Sequence, residues 1–208
     1  MARGKAVEID SKWRRYEPLE MTPLLAAALD AFYEHGYHGT TVRDIVKRVG
    51  QTVPSLYYHH ESKEGAFLAL LDVASTDFAW RVQAAAAAGT GPREQFTNAI
   101  EAIALHMTHR TQLAALDNEL RYISHENRRR YADGRKKTEQ LITDIIAAGV
   151  HEGVFTTQFP AETARAVLGM CQSIVRWYQP EGPLTPDDIA SNYVAIALAT
   201  VGADVAPS

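Results

Sequence analysis

The stretch on either side of Gly50-Gln51-Thr52 constrains this chain more than any other. Before it, Val42, Ile45, Val46 and Val49 recur at i, i+3, i+4 and i+7, the pattern of a helix with one buried face. Thr41 stands at the capping position and Asp44 three residues later, where a carboxylate favours a helix start. Gly50 stops that helix after about two turns. Thr52 caps the next helix, Pro54 enters its first turn, and Leu56 is its main apolar anchor. Helices this short are not stable alone in water. The pair therefore predicts a helix-turn-helix, completed by a third helix packed against it.

The remaining punctuation is helical too. Thr22 caps a helix with Pro23 in first position, Leu25, Leu29 and Phe32 repeat once per turn, and His35-Gly36 closes it. Ser62-Lys63-Glu64 opens a long helix that runs through Phe67, Leu70, Leu71, Phe78 and Trp80 into the alanines 84–88 and stops at Gly89. Further helices are predicted over 93–109, 112–124, 128–149, 161–178 and 186–202. No alternating Val/Ile/Thr run or Asn-Gly hairpin signal competes with them. The reading is all-α: a flexible arm over 1–17, a three-helix helix-turn-helix domain over 18–65, and a second helical domain over 66–208.

Charge and cysteine content narrow the partners. The chain has 208 residues, with 21 basic against 25 acidic side chains. Cys171 is the lone cysteine, so neither an internal disulfide nor a cysteine-rich zinc site is possible. No apolar run approaches the roughly 20 residues of a membrane span. The charged start MARGKAVEID lacks the apolar stretch of a signal peptide. A cytoplasmic protein without membrane partner, metal or cofactor is expected. A pI near 6.1 does not advertise nucleic-acid binding. Residues 1–65 carry nine basic and nine acidic side chains, so a case for DNA rests on local geometry.

That geometry lies in the second short helix. Tyr57, Tyr58, His59 and His60 follow one another, and at about 100° per residue they spread around most of a helix. At least two of these rings must be exposed or engaged by a partner. In a helix-turn-helix this helix enters the major groove of double-stranded DNA. A tyrosine hydroxyl can donate to a phosphate while its ring lies on sugar carbons, Thr41 and Thr52 can add hydroxyl contacts, and Lys63 a cation. Base reading falls to Gln51, Thr52, Val53, Pro54 and Ser55, with Tyr58 beside them. Val53 or Pro54 suits a thymine methyl, and Gln51 an adenine edge.

The run TTVRDIVKRVGQTVPSLYYHHESKEGAFLALL, with the preceding ALDAFYEHGYHG, resembles the N-terminal DNA-binding domain of TetR-family transcriptional repressors. The resemblance covers 24–71 without a gap. It implies that Thr41, Tyr57, His59 and Lys63 contact the DNA backbone and that 51–55 face bases; Arg43 is a further DNA-binding candidate. His60 departs from the pattern, which usually has a core phenylalanine there.

Such repressors diverge after this domain, so the rest is read on its own residues. Val167, Leu168, Cys171, Ile174, Val175 and Tyr178, then Ile189, Tyr193, Ile196, Leu198 and Val201, make the last two helices apolar on more than one face. With alanines between them, a two-fold helical bundle joining a homodimer is the expected use, and a palindromic operator requires one. The string VRWYQPEGPLT over 175–185 resembles regulators of fatty-acid, sterol-ring and aromatic-acid catabolism, whose effectors are acyl-CoA thioesters. The resemblance implies a pocket near Arg176 and Trp177. His106, Tyr122 and Gln172 are the further ligand candidates. Leu168 and Gln172 stand where sterol-thioester members carry an arginine and a tryptophan, so the same effector is not implied. Arg176, between Val175 and Trp177, needs a carboxylate such as Glu119, solvent or an anionic ligand.

Arg128-Arg129-Arg130 and Arg135-Lys136-Lys137 read as a solvated face, offset by Glu126, Asp133 and Glu139. Two other functions compete with a ligand-controlled repressor. One is a metal protein or enzyme using His106 with His109, or His125 with Glu126. No His-Glu-x-x-His, phosphate loop or nucleophile elbow accompanies these pairs, and the chain is read as no enzyme. The other is an interaction adaptor that has lost DNA binding.

Overall fold

The computed structural model describes residues 12–203, and every regular element among them is helical. The α-helices are α1 (Pro23–Gly39), α2 (Val42–Arg48), α3 (Val53–His60), α4 (Lys63–Ala88), α5 (Pro92–His109), α6 (Thr111–Ala115), α7 (His125–His151), α8 (Pro160–Gln172), α9 (Ile174–Trp177) and α10 (Pro186–Thr200). Short 3-10 turns cover Lys12–Arg14 and Leu116–Tyr122. The helix starts follow their local chemistry. Thr22 accepts from the Leu25 amide, and Thr41 and Thr185 each form reciprocal boxes with the aspartate three residues on.

Packing divides the chain into two units. The first comprises 17–77 and 110–133; the second holds 12–16, 78–109 and 134–203 among the described residues. The first unit is thus larger than the 18–65 stretch read from sequence. Its core joins Leu25, Leu29 and Phe32 of α1, Ile45 and Val46 of α2, Leu56 of α3 and Phe67, Leu70 and Leu71 of α4. Leu113, Leu116 and Ile123 complete it from the later segment. Phe32, Tyr37 and Phe67 meet at ring separations of 5.2–5.7 Å, in edge-on and offset geometries.

In the second unit, α5 is buried on almost every side from Ala99 to Thr108, as an axial helix must be. Phe96 packs edge-on against Phe155 at 5.5 Å. The expected flexible arm needs correction at its described end. Trp13 is fully buried. The Arg81 guanidinium donates to the Trp13 and Arg15 carbonyls at 2.8 and 2.9 Å and lies 3.8 Å over the Tyr16 ring. Arg14 makes a two-pronged bond with Glu101 at 2.7 and 2.8 Å. Burial of the indole, the guanidinium on the strap's carbonyls and the Arg14–Glu101 pair act together against the entropy of ordering it. Residues 1–11 of the arm lie outside the described residues.

Two predicted helices break. The one over 112–124 is α6 followed by the 3-10 turn. The one over 161–178 divides at Ser173, whose hydroxyl donates to the Met170 carbonyl at 2.6 Å and competes with the helical ladder.

Candidate nucleic-acid interface

The turn between α1 and α2 is fixed by contacts far apart in sequence. Gly36 adopts φ 70° and ψ 170°, a region that essentially only glycine enters. Just beyond it, the Tyr37 amide donates to Glu119 Oε2 at 2.9 Å. Lys63 Nζ donates to the carbonyls of Tyr37 and Thr40 at 2.8 and 3.1 Å and sits 4.2 Å over the Tyr37 ring. The buried Thr40 hydroxyl lies 2.8 Å from the Ala31 and Gly36 carbonyls. Burial holds the Lys63 ammonium below its ordinary pKa. A lysine read from sequence as a DNA cation is therefore committed to the α1 exit, because those carbonyls have no helical partner of their own.

Thr41 is likewise engaged. Its hydroxyl donates to Asp44 Oδ2 at 2.6 Å and accepts from the Asp44 amide at 3.2 Å. The hydroxyl bond, and then a 2.9 Å bond that the Thr41 backbone N–H donates to the same carboxylate oxygen, lower the Asp44 pKa. The second helix of the motif differs. Thr52 makes no side-chain cap at α3, and Pro54 brings no N–H to its first turn.

On α3, Leu56 is fully buried and anchors the helix to the core, while Tyr57 is 49% exposed, Tyr58 85%, and His59 also exposed. Gln51, Thr52 and Pro54 are exposed, and Val53 and Ser55 half-buried. Ser55 Oγ donates to Gln51 Oε1 at 2.9 Å. His60 is half-buried, and its Nε2 has no hydrogen-bond partner among the described residues. Glu61 ends the helix at φ 59°, and Gly65 passes the His60 carbonyl with no room for a β-carbon. That is why a glycine follows Ser62-Lys63-Glu64.

Cations near this face are few. The first unit holds nine basic and thirteen acidic side chains, a balance of −4. Arg48, also exposed, is bound by Glu34 at 2.6 and 3.0 Å, so Arg43 and Lys47 are the exposed cations of α2 with no carboxylate partner among the described residues. On the opposite flank, Glu64 accepts from the Ser124 amide and Asn127 Nδ2 at 2.9 and 2.8 Å. The Asn127 bond and then the Ser124 bond hold its pKa down. Tyr122 lies in this unit as well, edge-on to His38 at 4.2 Å. The later segment thus grips the helix-turn-helix at Tyr37, His38 and Glu64, which no local sequence signal announces.

The other ligand candidates belong to the second unit. His106 is buried, with Phe78 edge-on at 5.0 Å and Tyr16 tilted at 6.5 Å. His109 stacks on Tyr16 at 4.4 Å. Gln172, Arg176 and Trp177 are exposed, with Trp177 stacked on Tyr193 at 6.3 Å. Arg176 is therefore met by solvent, while the Glu119 carboxylate is bonded to Tyr37. Among the described residues, no group of three His, Cys, Asp or Glu is placed to hold a metal, and no helix is long and apolar enough to cross a membrane.

Comparison with known proteins places this geometry. Residues 24–70 match the family described as bacterial regulatory proteins, tetR family, and 89–201 match the tetracyclin repressor-like C-terminal domain. The HTH-type transcriptional repressor KstR2 of Mycobacterium tuberculosis is 32% identical over 191 residues, covering 89% of this chain and 91% of that protein. A tetR-family regulatory protein from Rhodococcus RHA1 has a similar structure, with TM-score 0.84 and 26% identity over 88% of this chain and 97% of its own. AibR, solved with isovaleryl coenzyme A and operator DNA, shares the fold at TM-score 0.77 and 22% identity, over 83% of this chain and 95% of its own.

Proposed function

The chain belongs to the tetR family of bacterial regulatory proteins, and from that premise we propose that it is a ligand-responsive repressor that grips a palindromic operator as a homodimer. A small-molecule effector, an acyl-CoA thioester by class, releases it. The single observation that carries this reading is the outward face of α3, where two tyrosines and a histidine stand exposed above one buried leucine. Exposed rings of this kind are costly in water and suit sugar–phosphate contacts.

Residues 18–65 touch DNA and 66–208 sense the effector and dimerise. Tyr57, Tyr58, His59, Arg43 and Thr52 are the groups free to meet DNA. Arg176, Trp177 and Gln172 lie nearest the effector. Dimerisation uses α8 and α10, where exposed Ala166, Gly169, Ala195, Ile196 and Ala199 permit close helix approach. Segment 110–133 follows α5 in the chain and packs with the helix-turn-helix, which suits it to carry a change in the sensing helices to the DNA face. A preference of a few kcal/mol for one state is enough to empty the operator. The protein works in the cytoplasm.

Selection from a random duplex pool, followed by anisotropy titration with and without acyl-CoA thioesters of graded chain length, tests the proposal. Enrichment of a palindrome, and its release by one thioester, are expected. A pool that stays unenriched overturns DNA binding; a palindrome that no thioester releases overturns the effector class.

A further inference from the structure

We propose that Gln51, held by Ser55, sets one base position in each operator half-site, and that the base it selects is guanine. The inference rests on the operator-binding reading and deepens it. Gln51 lies at the turn between α2 and α3, its backbone fixed by donation from its amide to the Val46 carbonyl at 2.9 Å. Its side chain is exposed, on the side from which α3 begins. One turn later, the Ser55 hydroxyl donates to Gln51 Oε1 at 2.9 Å.

That bond changes what the amide can read. A glutamine with both ends open pairs with adenine, accepting from N6–H and donating to N7. Here the Ser55 bond occupies one of the oxygen's two lone pairs and draws the oxygen back towards α3, so that Nε2, with two N–H donors and no partner among the described residues, is the end left to lead into the groove. Guanine shows two acceptors side by side in the major groove, N7 and O6, with no donor between them. It matches an amide that leads with its N–H₂ group, whereas adenine sets its own N6–H₂ against that group. Thymine offers one acceptor beside a methyl group.

The test is selection from a random duplex pool with the wild-type chain, Ser55→Ala and Gln51→Glu, each read by sequencing the enriched half-sites. The wild type is expected to fix guanine at one position, with adenine there disfavoured roughly tenfold. Ser55→Ala releases the oxygen and raises adenine at that position about tenfold; the readout is the Gln51 position, since Ser55 is itself among the residues that face bases. Gln51→Glu keeps one oxygen for Ser55 and presents a second acceptor, so the position turns to cytosine, whose N4–H₂ donates. Both side chains are at the surface, and unchanged thermal melting checks that the variants fold. The proposal is overturned if the wild-type half-site has no such guanine, or if both variants keep the wild-type preference. Failure of the wild type to enrich any sequence would instead remove the operator-binding reading beneath it.

Discussion

His60 shows how much one side chain decides on a helix of eight residues. It stands where the family resemblance leads one to expect a core phenylalanine, and its buried Nε2 has no hydrogen-bond partner among the described residues. Burial, then the neighbouring His59 charge, hold its pKa below the ordinary 6.5. The unfolded chain therefore takes up the proton first as pH falls. Stability from this group is complete above the ordinary histidine range and declines as pH drops through it towards the lower folded value. His60→Phe is expected to raise stability by roughly 1 kcal/mol, about 2–4 °C in Tm, and to flatten the acid side of the stability profile. Melting curves at pH 5.5 and 8 check both; a lower Tm at both pH values contradicts the packing argument. Residues of this kind also mark the limit of sequence reading. The 100° spacing made exposed rings at 57–60 unavoidable. The same spacing said nothing of Lys63 and Thr41, whose partners lie on another helix turn and at a helix cap. Both were read as DNA contacts because their types suit phosphate and the family resemblance implies it, and the fold adds the partners within the first unit that the spacing could not show.

Among the elements, α1 to α4 were legible because their signals are local: a threonine cap, a proline in the first turn, a glycine at the end. The 3-10 turn over Leu116–Tyr122 was not, since its conformation accompanies contacts that Glu119 makes 82 residues away in the chain. Trp13 escaped for the same reason: a tryptophan amid charges looks like a loop until Arg81 is seen capping its carbonyl. The α1 exit is where these distant contacts carry most weight. Gly36→Ala forces a side chain into φ 70°, ψ 170° and is expected to cost about 1–3 kcal/mol. Glu119→Ala removes the acceptor from the Tyr37 amide and is expected to cost about 1–3 kcal/mol. Glu119→Gln retains an acceptor oxygen and stays close to wild type. Urea unfolding separates these outcomes. Equal stability of the alanine and glutamine variants would mean that the Glu119 bond holds nothing in place.

For the whole molecule, the comparisons and the sequence agree on family and fold, while bulk charge points the other way: the unit bearing the helix-turn-helix is net acidic. Operator binding must then come from shape, hydroxyls and a few placed cations. The homodimer is a surface argument of the same kind. Ile196 is 49% exposed on α10, and Ile196→Asp is expected to shift the protein to a monomer of unchanged helicity in sedimentation velocity, with operator affinity falling along with dimerisation. Wild-type protein sedimenting as a monomer at micromolar concentration would contradict it. The account stands or falls on α3. The most direct measurement is anisotropy titration of the selected palindrome, over a series of salt concentrations, with the wild type and a Tyr57→Ala/Tyr58→Ala variant. Both rings are exposed, so thermal stability should barely change. Affinity should fall at least tenfold, and wild-type binding should weaken steeply with salt. A variant that binds as tightly as the wild type, with the same salt dependence, would contradict the claim that α3 is the surface that holds DNA.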